Sequence, residues 1–230
     1  MNFLIENAQK LKICLSQKQA ELLMEYKNAV LEQNRTMNLT AITDEKDFII
    51  KHILDSLSGV PFIDKQEGKL IDVGCGGGFP SVPIAIALPN ISVTAIDSTA
   101  KKVNFINNAV SKLKINNICA ETARAEDLGR GQMRGTFDFA TARAVANLHI
   151  LLELVTPLLK IGGKFIAYKA NDSETVDLHR ALSVLNCKIN KIVNLNLPNG
   201  DERCLIVIEK TDETPNSYPR QNSTIKNKPL

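Results

Sequence analysis

Between a short apolar run at 69–73 and a helix-length apolar stretch at 81–88, the chain reads Gly74-Cys75-Gly76-Gly77-Gly78-Phe79-Pro80. A strand that enters a glycine-rich turn and leaves as a helix fixes much of what can follow. Glycine lets the backbone turn tightly and approach a ligand closely, and the first N–H groups of the next helix face the crevice beyond the strand. Such a unit needs a second strand beside it, and 92–96 supplies one, ending at Asp97.

The alternation continues. Within 101–113, Val103, Ile106, Val110 and Leu113 recur at helical spacing and give one buried face. Further strands are expected at 118–123, 137–142, 164–168, 188–195 and 204–209, with helices at 146–159 and 173–185 between them. This pace predicts a doubly wound α/β sheet, mostly parallel. Pro198-Asn199-Gly200-Asp201 is too short for a helical crossover, so the last two strands should pair antiparallel.

Residues 1–60 read as a helical appendage. Ser16 and Gln19 fit a capping box ahead of Leu22, Leu23, Tyr26, Val30 and Leu31, and a second helix should open near Thr43. The division expected is an appendage at 1–60, the sheet domain at 61–210 and a basic tail at 211–230. The tail has no apolar period, so it is expected to add little to the core and nothing to a cofactor site. With 44% hydrophobic residues and a net charge of +3, the chain can build a core but is no polybasic arm. The start lacks the basic and apolar regions of a signal peptide, and the uncharged stretch 73–96 is interrupted by Pro80, Pro83 and Pro89. Five scattered cysteines without a CxxC pair read as reduced thiols, and three distant histidines offer no metal spacing. A cytoplasmic protein without a metal or a membrane partner is expected, as a monomer.

The glycine turn discriminates between cofactors. A dinucleotide fingerprint G-x-G-x-x-G would need glycine where Phe79 stands. Asp72, Gly74, Gly76 and Gly78 instead match D-x-G-x-G-x-G, which resembles motif I of the S-adenosylmethionine-dependent methyltransferases. Asp97, at the end of the second strand, suits a carboxylate that grips two ribose hydroxyls. Thr141-Ala142-Arg143-Ala144 contains no Asn/Asp-Pro-Pro-aromatic stretch of the kind used on exocyclic amines. No Pro-Cys pair offers a nucleophile for carbon 5 of a pyrimidine.

At several separated motifs the chain resembles the RsmG (glucose-inhibited division protein B) family of 16S ribosomal RNA guanine-N7 methyltransferases. These are Asn38-Leu39-Thr40, His52-Ile53-Leu54-Asp55-Ser56-Leu57, the run 72–83, Asp97-Ser98, Arg124-Ala125-Glu126, Ala142-Arg143-Ala144 and Gly200-Asp201-Glu202-Arg203. Tyr218-Pro219-Arg220 and Lys228-Pro229-Leu230 resemble a C-terminal extension of some members.

The resemblance implies a Rossmann-like class I methyltransferase sheet and S-adenosyl-L-methionine as cofactor. It puts Gly74 and Phe79 on the methionine and adenosine side, Asp97 and Ser98 at the ribose and adenine edge, Ala125 and Glu126 at the adenine, and Arg143 beside the methyl donor. The partner implied is 16S ribosomal RNA or the small subunit. Guanine N7 holds a free lone pair, so no catalytic acid or base is expected. Arg143 and Lys169, at strand ends, are the candidates for positioning the guanine or a phosphate, and Arg203, Arg220, Lys226 and Lys228 for touching RNA. His52 and Asp55 read equally as a cleft wall or as a helix anchor. Competing readings are a methyltransferase of another substrate, a non-catalytic RNA-binding module with a retained cofactor pocket and, weakest, a nicotinamide oxidoreductase.

Overall fold

The computed structural model describes all of residues 1–230. Helices α1 (Asn2–Lys10) and α2 (Gln17–Asn34) lead. The capping box expected at the start of α2 is present: Gln19 N donates to Ser16 Oγ (3.2 Å) and Ser16 N to Gln19 Oε1 (2.9 Å). After the turn held by Asn34 Oδ1, which accepts from Leu39 N and Thr40 N, comes α3 (Glu45–Phe48). Its cap is Asp44, which accepts from Asp47 N, one residue later than the sequence suggested. The helix then widens into six residues of π-helix, Ile49–Leu54, and closes as α4 (Asp55–Leu57).

From there the chain alternates: β1 (Gly68–Val73), α5 (Ser81–Ala87), β2 (Ile91–Asp97), α6 (Ala100–Lys112), β3 (Ile118–Thr122), α7 (Ala125–Arg130), β4 (Phe137–Arg143), α8 (Leu148–Val155), β5 (Leu159–Lys169), α9 (His179–Val184), β6 (Cys187–Asn196), β7 (Glu202–Lys210) and α10 (Asn222–Asn227). The seven strands form one sheet in the order β3-β2-β1-β4-β5-β7-β6. β7 is inserted antiparallel between β5 and β6, and every other neighbouring pair is parallel. The expected antiparallel pairing of the last two strands is therefore present.

Both faces of the sheet are covered. One core joins Leu23, Tyr26, Phe48, Ile53 and Leu57 of the leading helices to Val82, Ile106, Leu70 and Val93. The other packs Leu151, Leu152 and Val155 of α8 with Ala140, Phe165, Ile206 and Ile225. The leading sixty residues thus share a core with the sheet.

Three expectations need correction. The helix over 146–159 stops at Val155, because Pro157 allows only a 3-10 turn, Thr156–Leu158, and β5 then starts at Leu159 rather than 164. The helix over 173–185 is regular only from His179, since Asp177 sits at φ +67°. The tail is not an unstructured end. It carries α10, buries Thr214 and Ile225, and anchors Arg220 on the fully buried Glu153.

Candidate active site

β1 and β4 meet at the point where strand order reverses, and open α/β sheets place ligands there, beyond the strand C-termini. A cleft of about 530 Å³ occupies that position. Its floor is the glycine turn, Gly74 to Gly77 with Phe79. Asp97, Ser98, Thr99 and Lys102 form one side, Ala123 to Glu126 another, and Arg143 to Ala146 a third. His52 and Leu39 come from the leading segment, and Asn222 and Lys226 from α10.

The turn is shaped from below and beside. Asp72 pairs in register with Thr141 of β4 and accepts from its hydroxyl (2.9 Å) and from Ser81 N (3.2 Å). It is fully buried and does not line the cleft, so its part is to hold the start of α5 beneath the turn. Burial pushes its carboxyl up to about 6. Gly78 also lies outside the lining. A Cβ there would fall 2.1 Å from Tyr26 Oη, whose hydroxyl donates to Gly77 O (2.8 Å). Gly76, at φ +56°, has open space where a Cβ would project. Asp97 spans the rim, accepting from Gly76 N (3.0 Å) on one oxygen and Thr99 N (2.9 Å) on the other.

Arg143 organises the opposite wall. Nη1 donates to Asp55 Oδ2 (2.8 Å) and to the carbonyl of Lys51 (2.8 Å), and Nη2 meets His52 Nδ1 (3.1 Å). Lys51 and His52 both lie in the π-helical stretch, which offers the Lys51 carbonyl and the His52 ring to one guanidinium. A guanidinium can only donate, so His52 Nδ1 accepts and Nε2 carries the proton, donating to Thr40 Oγ1 (2.7 Å). Burial and the neighbouring Arg143 lower His52 to about 4, so the ring is neutral at physiological pH. It stacks on Phe79, with centroids 4.8 Å apart, and Arg143 lies over the same ring. The Nε–H and one Nη2–H of Arg143 have no protein partner.

Several residues expected at a substrate surface are spent elsewhere. Lys169 lies behind the third wall, donating to Ala146 O (2.7 Å) and Glu174 Oε2 (2.7 Å). Arg203 reaches Asp55 Oδ1 (3.2 Å) and borders a separate polar hollow with Asn171, Asp172 and Asn194. Arg220 forks onto Glu153. Of the tail cations, Lys226 and Lys228 remain exposed and unpaired, and Lys226 lines the cleft. Asp55 is the helix anchor of the two alternatives, while His52 faces the cleft. Sequence reasoning gave no role to Lys102, Arg124, Val145 or Asn222. Arg124 stands directly before Ala125-Glu126 after β3, and Lys102 lies in the first turn of α6 after β2, so both carry a local signal. Val145, seated against Gly74, and Asn222 have no local signal.

The model of the family described as rRNA small subunit methyltransferase G matches residues 19–204. The chain belongs to this family. The "Ribosomal RNA small subunit methyltransferase G" of Streptococcus thermophilus is 45% identical over 221 residues, covering 94% of this chain and 93% of the relative. That of Leuconostoc citreum is 40% identical, covering 95% and 94%. Among solved structures, TrmN from Thermus thermophilus matches with a TM-score of 0.56 and 20% identity over 68% of this chain and 48% of that one. TYW2 of M. jannaschii in complex with AdoMet matches at TM-score 0.52 and 16% identity, over 65% and 71%. These neighbours establish the class I methyltransferase fold.

Proposed function

We propose that this chain transfers a methyl group from S-adenosyl-L-methionine to N7 of a guanine in small-subunit ribosomal RNA. The family match over residues 19–204 carries the substrate class, and the cleft fits the cofactor. Open space at Gly76 leaves room against bare backbone, and Asp97 stands at the rim for two ribose hydroxyls. Ala125 and Glu126 stand ready for the adenine and Ser98 for its edge. When bound, the cofactor supplies an electrophilic methyl on a positively charged sulfur.

The polar groups of the cleft fit attack at N7. Asp97 and Glu126 each accept from a protein N–H, and His52 is held between Arg143 and Thr40. N7 needs no proton removed, because its lone pair is already free. The residues therefore act by orientation. Neutral His52 and Phe79 give a flat wall without added positive charge, and the two unpartnered N–H groups of Arg143 can hold a base oxygen or a phosphate. In this reading 61–210 carries the transfer chemistry, 1–60 braces the cleft, and 211–230 closes one side. Lys102, Arg124, Lys226 and Lys228 supply phosphate contacts on 16S RNA or the small subunit, in the cytoplasm.

The test is methyl transfer to ribosomal RNA and to small subunits from cells lacking the protein, followed by mapping. Methylated N7 carries a fixed positive charge, so mild reduction and aniline should cleave the product at one site. A methyl found on an exocyclic amine, a ribose oxygen or carbon 5 overturns the proposal.

A further inference from the structure

The tail was expected to stand apart from the cofactor, yet Asn222 and Lys226 of α10, one turn apart on one helix face, both line the cleft. Asn222 Nδ2 donates to Glu126 Oε1 (2.6 Å), the sole side-chain hydrogen bond that Glu126 makes. Glu126 is 4% exposed, so this contact joins the tail to a buried carboxylate on the wall next to Asp97. A carboxylate can only accept. The Asn222 amide must therefore turn its nitrogen to Glu126, which leaves Oδ1 and the second Glu126 oxygen both without a protein partner on two side chains that line the same cleft. Two free acceptors on hydrogen-bonded neighbours suit an amine with two N–H bonds.

The backbone beneath this pair is firmly held. Ile225 is 1% exposed in the core on the α8 side. Arg220 forks onto Glu153 and also donates to Lys228 O (3.0 Å), and His149 Nδ1 donates to Leu230 O (2.9 Å). Asn222 thus sits on a fixed platform.

Resting on the reading of this cleft as the cofactor site, we propose that Asn222 completes the adenine subsite: its carboxamide oxygen and the Glu126 carboxylate together accept the exocyclic amine of the cofactor. The C-terminal segment then sets which base is admitted. A hypoxanthine analogue carries a carbonyl oxygen at that position and would face two acceptors.

Calorimetry with S-adenosylhomocysteine and with its deaminated analogue S-inosylhomocysteine tests this without turnover. The unaltered protein should prefer the adenine ligand. Asn222→Ala should weaken S-adenosylhomocysteine about five- to tenfold, the scale of one lost hydrogen bond, and change the analogue less than about twofold. Asn222→Asp keeps the shape but sets a carboxylate against Glu126, and should lose more of the adenine ligand. Ser223→Ala, at an exposed residue outside the cleft lining, should change neither. Equal losses for both ligands would reduce Asn222 to a structural prop and overturn the proposal. An Asn222→Ala variant that binds normally while Asp97→Ala binds weakly would overturn it and leave the cleft reading intact. If neither variant weakens S-adenosylhomocysteine, the cleft reading falls and takes the proposal with it.

Discussion

Asp72 shows how a motif residue can serve a site it does not touch. It heads the glycine signature, yet it lies beneath the turn, bonded to Thr141 and Ser81. Burial outweighs those hydrogen bonds and lifts its carboxyl from the ordinary 3.8 to about 6. A pKa raised on folding means that the folded chain holds the proton more tightly. This group therefore favours the folded state most below 3.8, and that advantage is lost as pH rises through about 6. The two-unit difference is worth at most about 3 kcal/mol. Asp72→Asn can keep both partners, with its oxygen toward Ser81 N and its amide toward the Thr141 hydroxyl. Its stability relative to the parent should therefore be greater at pH 7 than at pH 4.5. Urea unfolding at both values checks this, and a pH-independent difference would contradict it. Asp97, at the proposed ribose contact, gives a binding test instead: Asp97→Ala should weaken S-adenosylhomocysteine by about 1–3 kcal/mol in a titration.

At the scale of elements, the π-helical stretch Ile49–Leu54 and α4 carry the tie between the leading helices and the sheet. Asp55, 4% exposed, accepts from Arg143 and Arg203, whose side chains come from β4 and β7. Asp55→Ala would leave two half-buried guanidinium groups without their carboxylate, at a cost of about 3 kcal/mol in denaturant unfolding. It should also slow methyl transfer more than it weakens cofactor binding, since Arg143, which meets His52, loses its carboxylate. Such elements differ in how far sequence reveals them. The strands were readable because apolar runs and glycine turns are local signals, as with 69–73 and its glycine turn. The π-helix was not, because His52, Ile53 and Asp55 keep a helical spacing whether the turn holds four residues or five. Pro157 and the left-handed Asp177 shortened two helices whose apolar period ran on past them.

For the whole molecule, the largest departure from expectation is the tail. Ile225 is its one apolar helical residue in the core, too little to register as a period, and Glu153 gave no hint of a partner 67 positions away. Glu153 is fully buried, so Arg220→Ala leaves its charge uncompensated and should lower stability by about 3–5 kcal/mol. Deleting 211–230 should lower the melting temperature markedly, where the sequence suggested no change, and a scan of both variants decides it. The cleft lining was legible where its residues lie at or just after strand ends, as the glycines, Asp97 and Glu126 do, whereas the wall made by α10 depends on packing between distant segments. The bond from Tyr26 of α2 to Gly77 O has a further consequence, this time for speed. The turn is ordered as soon as the chain folds, with Oη against Gly78, where a Cβ would collide with it. Ligand arrival then requires no rearrangement of the floor, and little mobility is lost on capture. In stopped flow, the observed rate should climb in proportion to ligand concentration, with a single phase and no plateau. Tyr26→Phe should introduce the plateau, as a loosened turn waits to close.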